Sequence, residues 1–134
     1  MYVEKLRRLE NMIKKEKGEV YLLAAFEHED IQGRWDILIS AEKLEADRLS
    51  SVRFVVDKLK TLLDKEEIVK VSKVILFNKN DNFVNDIKSF MLKNSNIKKI
   101  NDMTIGDLYI KHGVIVKSPV EKHKQKVLAQ ASCI

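Results

Sequence analysis

The chain has 134 residues, of which 45% are hydrophobic and 34% charged, a balance typical of one folded domain and not of a disordered chain. Its single cysteine, Cys133, excludes a disulfide framework and a cysteine metal cluster. The lack of an uncharged apolar run of about 18 residues excludes a membrane-spanning helix, and the N-terminus has no secretory signal pattern, so we expect a cytoplasmic location. The net charge of +5 permits nucleic-acid binding without requiring it.

The first three predicted elements are a helix and two strands. Over residues 2–17, apolar side chains recur at helical spacing with Lys and Arg opposite them, and Gly18 is a good C-terminal stop. Residues 20–26 and 35–40 are apolar runs of strand length, joined by the charged segment EHEDIQGR. Because this connection is short, the two strands are expected to pair antiparallel.

The middle of the chain predicts helices on both sides of one strand. Ser40 is a candidate N-cap for a long helix, a shorter helix is expected within residues 65–71, and a buried strand within 74–77. A further apolar helical stripe begins at Phe83 and ends near Asn94. The stripe expected to bury the long helix consists of Leu49, Val52, Val55, Val56, Leu59, Leu62 and Leu63.

The last third predicts two strands and a tail. Residues 97–100 are short and extended, and from Ile105 onward apolar and polar residues alternate, which indicates a half-buried strand or a hairpin near His112 and Gly113. Residues 118–134, which contain the only proline, are expected to form a basic tail or a short helix. The side chains expected to share the inward face are Leu108, Ile110, Val114 and Val116.

These elements predict one α/β domain over residues 1–117. Their order is α-β-β-α-β-α-β-β, with about five strands in a mixed sheet flanked by helices. The helix-linked second and third strands should be parallel, because a crossover returns the chain in the same direction.

The charged segment between the first two strands is the strongest candidate for chemistry. Carboxylate and imidazole groups of this kind can bind Mg²⁺ or Mn²⁺, which would activate water for a metal-dependent phosphodiesterase or nuclease. Turns also select polar residues, so a solvated turn or a partner-binding surface is the alternative. The candidate metal ligands are Glu27, His28, Glu29 and Asp36.

The same segment resembles the core of restriction-endonuclease-type nucleases. The resemblance consists of a carboxylate at a strand end, a second on the next strand, and Lys43 nearby. That family carries an acid-x-lysine element on the strand after its aspartate, whereas Glu42 and Lys43 are adjacent here and fall at the start of a predicted helix.

A second candidate site lies at the carboxyl ends of the predicted parallel strands, where open α/β sheets bind ligands. Amide groups and a lysine near a helix N-terminus can hold an anion, although Asn and Asp are also ordinary helix caps. The residues of this candidate ligand-binding site are Ser40, Asn78, Lys79 and Asn80.

Two other surfaces predict partners. Arg34 and Trp35, at the start of the second strand, are candidates for an interface, since Trp and Arg are enriched at interfaces, and the alternative is a rim position of the core. We expect a homo-oligomer, most simply a dimer. The basic face of the first helix predicts weak electrostatic nucleic-acid binding through Arg7, Arg8, Lys14 and Lys15.

The phrase HEDIQGRWDILIS, followed by an amphipathic helix and VILF, resembles short prokaryotic proteins of uncharacterised function over residues 20–90. This resemblance implies no activity and supplies no site residues. Glycine-rich nucleotide-binding motifs and a serine nucleophile elbow are absent from the sequence. The function expected from the sequence is therefore a small binding or assembly module, with no required cofactor, and the metal-dependent enzyme and the nucleic-acid binder are alternatives.

Overall fold

The computed structural model describes residues 3–28, 30–44, 48–93 and 99–119. The five strands form one mixed sheet in the order β3-β2-β1-β5-β4, in which β2 and β3 are parallel and the other neighbours antiparallel. The predicted α/β class and element order are confirmed, with a short helix, α3, ahead of the third strand. The elements are α1 (Val3–Lys17), β1 (Val20–Glu27), β2 (Trp35–Ala41), α2 (Arg48–Leu62), α3 (Lys65–Ile68), β3 (Val71–Leu76), α4 (Asn82–Lys93), β4 (Lys99–Ile105) and β5 (Leu108–Lys117).

The two faces of the sheet are covered unequally, because strand side chains alternate between the faces. On the first face α1 buries Leu6, Leu9 and Ile13, and α2 buries Val55 and Leu59, against inward residues of β1 and β2. On the second face the 12-residue helix α4 packs against β1, β2, β4 and β5 through Val84, Ile87 and Met91. The first face is covered by two 15-residue helices, whereas α4 alone covers the second face among the described residues. The part of the second face near β3 is therefore partly open.

The predicted role of Ser40 as a helix N-cap is wrong. Strand β2 continues through Ala41, Ser40 is buried at 1% exposure within it, and α2 begins at Arg48. Leu49, which was expected in the buried stripe of that helix, is 64% exposed because it lies in the first turn. Within the predicted stripe, Val55, Leu59 and Leu63 are buried in the first core and Leu62 packs against it, whereas Val56 is only partly buried.

The alternation predicted for the last strand is also interrupted. Residues Leu108–Lys117 form one strand, and its hairpin turn to β4 lies at Gly106 and Asp107, not near His112. Ile100 and Met103 pack against the same core although they are three residues apart, so the alternation breaks between them, where Asp102 has a positive φ of 51°. Ile110 and Ile115 likewise share the second-face core, whereas Val116 packs against the first.

The boundary predicted for the tail falls inside the described body. Ser118 is buried at 1% exposure and Pro119 follows it directly, whereas residues 120–134, with Cys133, lie outside the described ranges. Within those ranges no helix has the length and apolar character needed to cross a membrane.

Candidate functional site

The open part of the second sheet face forms a cleft of about 390 Å³, which we call the β3 cleft. It lies beside the turn that joins β1 to β2, under the first turn of α4. Its apolar walls are Phe26, Leu38, Ile75, Phe77, Phe83, Leu108 and Ile110, and its polar lining is Glu27, His28, Asp30, Asp36, Lys73 and Tyr109.

Three aromatic rings hold one wall of the β3 cleft. The Phe83 ring lies 5.3 Å from the Phe77 ring and meets the Phe26 ring edge-on at 6.4 Å, both centroid distances suited to aromatic pairs. Phe77 and Ile75 are half-buried, because no helix within the described ranges covers β3 on this face. The cleft is therefore a partly solvated apolar surface with a fixed wall.

His28 and Asp36 form the polar centre of the β3 cleft. Phe26 is the register partner of Asp36, and the backbone N–H of His28 donates to the Arg34 carbonyl at 2.6 Å, so the antiparallel ladder continues into the turn. His28 and Asp36 are then diagonal neighbours on one face, close enough for side-chain contact. His28 Nδ1 lies 3.2 Å from Asp36 Oδ2, and their side chains are 23% and 16% exposed.

This pair has a defined chemical capacity. A carboxylate oxygen accepts hydrogen bonds, so a hydrogen bond in this contact requires the proton on His28 Nδ1. The second carboxylate oxygen, Asp36 Oδ1, is buried and has no hydrogen-bond partner among the described residues. A buried acceptor without a donor costs roughly 1–3 kcal/mol, so the site favours a ligand that supplies a donor.

The predicted metal ligands converge only in part. His28 and Asp36 meet, Asp30 and Glu27 line the same cleft, and Glu29 lies outside the described residues. Glu27 Oε2 accepts a hydrogen bond from the Gly33 backbone N–H at 3.3 Å, which directs that oxygen to the turn. Across the described ranges, no three His, Cys, Asp or Glu side chains lie in a group that could hold a metal ion. The metal site stays a prediction.

Residues from distant parts of the chain complete the site, and no local pattern of residues pointed to them. Lys73 is the register partner of Asp36 in the parallel β2–β3 pair. The Tyr109 hydroxyl donates a hydrogen bond to Asp102, and this contact raises the pKa of Tyr109 above its usual 10.0. Lys73, Phe77 and Tyr109 are therefore brought to the cleft by strand pairing and not by sequence proximity.

The second predicted site is divided by the fold. Lys79 and Asn80 line a separate cleft, whereas Ser40 is buried in β2 with an Oγ that has no hydrogen-bond partner in the described part of the chain. Asn78 is exposed, and its carbonyl accepts from the Asp81 N–H at 3.0 Å. Lys79 and Asn80 thus belong to one pocket, and Ser40 does not line it.

The predicted interface residues serve a structural contact. The Arg34 guanidinium donates to the Val69 carbonyl at 2.7 Å, and the Trp35 backbone N–H donates to the Lys70 carbonyl at 2.7 Å. Both bonds fasten the start of β2 to the turn before β3, and Trp35 packs against the first core. An interface there stays a prediction, as does nucleic-acid binding by the four basic residues of α1, all of which are exposed.

A comparison of the chain with protein-family models, with curated proteins and with solved structures finds no match.

Proposed function

We propose that this protein is a binding module for a small amphiphilic molecule. The ligand's apolar body lies on the walls of the β3 cleft, and its head group donates a hydrogen bond to Asp36 Oδ1. One observation carries the proposal: Asp36, which lines a cleft with apolar walls, has a buried carboxylate oxygen that lacks a hydrogen-bond partner among the described residues.

The dimensions and lining of the cleft support a small ligand. Ligand pockets span about 300–1,000 Å³ and combine apolar walls with a few polar groups that fix orientation. The β3 cleft has about 390 Å³ and both kinds of lining. Each Å² of apolar surface removed from water contributes roughly 25 cal/mol, so the half-buried Ile75 and Phe77 would add affinity when covered.

The charges around the cleft favour a cationic head group. Three carboxylates line it, on Glu27, Asp30 and Asp36, against the single ammonium of Lys73 and the imidazole of His28. A protonated amine can both donate to Asp36 Oδ1 and respond to this negative excess, and hydrogen bonds to charged groups are the stronger ones. A neutral hydroxyl satisfies only the first requirement, and a carboxylate satisfies neither.

Three probes with one apolar ring and different head groups test this ranking: cyclohexylamine, cyclohexanol and cyclohexanecarboxylate. At neutral pH we expect the amine to bind at least about tenfold more tightly than the carboxylate, with the alcohol between them, because a charged hydrogen bond is worth roughly 1.5–3 kcal/mol. An NMR titration measures this, with shifts expected at residues 36–38 and 75–77. Equal affinities, or shifts confined to other residues, would contradict the proposal.

The Asp36→Asn variant separates binding from folding. The amide oxygen can still accept from His28 Nδ1, but an NH₂ group takes the place of the carboxylate oxygen Oδ1. Because this group donates and carries no negative charge, cyclohexylamine binding should weaken about tenfold. The free variant should melt no lower than the natural protein, since a neutral amide costs less to bury than a carboxylate of which one oxygen has no hydrogen-bond partner among the described residues. Asp57→Asn, an exposed change of equal charge on α2, is the control and should alter neither property. A marked loss of stability in Asp36→Asn would indicate a structural role.

The metal-dependent phosphodiesterase is a second candidate, favoured by the convergence of His28 and Asp36 with a free carboxylate oxygen. If this pair holds Mn²⁺ or Mg²⁺, millimolar metal should raise the melting temperature, because a ligand of the native state stabilises it. Asp36→Ala should abolish the rise. Identical melting curves with metal and with a chelator would remove this candidate and leave the amphiphile proposal intact.

A further inference from the structure

A second cleft on the same sheet face has a different chemistry from the β3 cleft. It encloses about 220 Å³ near the start of β1 and the end of β5, and we call it the lysine cleft. Three of the described residues that line it are lysines, and none of the described lining residues is Asp or Glu. The polar lining consists of Lys79, Lys88, Lys117, Asn80, Asn85 and Ser118.

The three ammonium groups come from three separate parts of the fold. Lys79 lies in the loop after β3, Lys88 on α4 and Lys117 at the end of β5. The Lys79 Nζ stands 5.0 Å from the centre of the Tyr21 ring, a cation–π distance that holds this side chain over the cleft. The three lysines therefore line one cleft because of tertiary packing, and not because they form one charged run along the chain.

Two of these lysines have no carboxylate partner in the part of the chain that the structure describes. Lys88 and Lys117 are half-buried, and within the described ranges neither forms an ion pair with a carboxylate. Like charges held together repel, and partial burial weakens their hydration, so an anion between them offsets both costs. Asn80 and Asn85 add amide groups that can donate to the same anion.

The position of the lysine cleft also suits a ligand. It adjoins the loop that follows the carboxyl end of β3, and open α/β sheets bind ligands beyond such strand ends. The nearby N-terminus of α4 is already capped, because the Phe83 N–H donates to Asp81 Oδ1 at 2.9 Å. The attraction for an anion therefore rests on the lysines and the amides.

We propose that the lysine cleft binds the phosphate group of a phosphorylated small molecule. The two half-buried ammonium groups of Lys88 and Lys117 match the two negative charges of a phosphate monoester, and lysine is a common point-charge ligand of phosphate. A volume of about 220 Å³ encloses a phosphate with a small organic group and excludes a polymer chain from the interior. This site is separate from the β3 cleft and does not depend on the function proposed for it.

The test titrates the protein with inorganic phosphate, glycerol phosphate or sodium chloride at matched ionic strength. NMR follows the chemical shifts of the backbone amides. Both phosphates should shift the amides of residues 79–88 and 117–118, and chloride should not. Lys88→Gln and Lys117→Gln should each weaken phosphate binding about tenfold, because each removes one charged hydrogen bond. Lys60→Gln, an exposed change of equal charge on α2, should weaken it less than twofold if the effect is local.

Three results would overturn the proposal. Chloride could reproduce the phosphate shifts, or Lys60→Gln could weaken binding as much as the two cleft variants, and either would indicate nonspecific charge effects. An oligonucleotide could bind more tightly than glycerol phosphate, with affinity that falls steeply with salt, which would indicate a nucleic-acid surface instead. The two cleft variants lie on different elements, and far-UV circular dichroism verifies that each is folded.

Discussion

Gly113→Val is expected to lower the melting temperature by roughly 10 °C. Gly113 lies in the interior strand β5 opposite Phe26, and a Cβ atom there would stand 2.7 Å from Phe26 Cδ1 and 3.1 Å from Ile110 Cγ2. Both neighbours are buried, so the valine must displace a packed ring, and overpacking of this kind costs about 3 kcal/mol. For a domain of this size that corresponds to roughly 10 °C in thermal unfolding.

Two further variants show whether the Phe26 ring is the cause. Adding Phe26→Leu to Gly113→Val removes the obstructing ring atoms and should recover part of the loss, so the two changes should not be additive. Gly33→Ala is the contrasting case: Gly33 has a φ of +81° but open space around it, so only backbone strain of about 1 kcal/mol is expected. If the double variant simply summed the two losses, the steric account would be wrong. Because Phe26 also lines the β3 cleft, Gly113→Val should weaken amine binding as well.

Glu67→Ala is expected to destabilise the fold by about 2 kcal/mol, although Glu66 beside it is exposed. Glu67 is 7% exposed, and its Oε1 accepts from both the Asp64 backbone N–H at 2.9 Å and the Lys5 ammonium of α1. Its own N–H donates to Asp64 Oδ1 at 2.8 Å, which completes a capping box on α3. Alanine removes one of the two hydrogen bonds of the capping box and also the ion pair with Lys5. The two losses together account for the expected destabilisation of about 2 kcal/mol. Chemical denaturation measures it.

Glu66→Ala provides the matched control, since Glu66 occupies the same short helix and is exposed. That change should stay within about 0.5 kcal/mol of the natural protein, as surface substitutions usually do. Lys5→Met removes the ion pair but keeps the capping box, so its effect should fall between the two. Equal effects of Glu66→Ala and Glu67→Ala would show that the tie between α1 and α3 contributes nothing.

Local pattern was sufficient for most of the elements and for one contact of the site. The helical spacing of Leu6, Leu9 and Ile13 identifies the buried face of α1, because that spacing places side chains on one stripe. The short charged segment after β1 implies an antiparallel partner, and that pairing brings His28 beside Asp36. The chemistry of this pair could therefore be anticipated from residues eight apart in the chain.

The same local rules failed where long-range packing took over. Serine is a preferred residue type at helix N-caps, but hydrogen bonding to β1 keeps the chain extended past Ser40 through Ala41. The positive φ of Asp102 changes which side chains of β4 point into the core, so that Ile100 and Met103 share one face. The alternation of residue types in the sequence does not predict this change. Burial and ladder pairing over many residues outweigh the preference of any one side chain.

The amino-acid sequence by itself determined that this chain is a mixed α/β domain with a charged turn, since periodicity and turn chemistry act over a few residues. Only the tertiary structure decided where clefts form on the sheet. The β3 cleft exists because one short helix covers a face that Lys73, Ile75 and Phe77 share with His28 and Asp36. The lysine cleft exists because the loop after β3, the helix α4 and the end of β5 lie side by side. Both depend on which distant elements pack together, and that is settled by the burial of the whole core and not by any single segment.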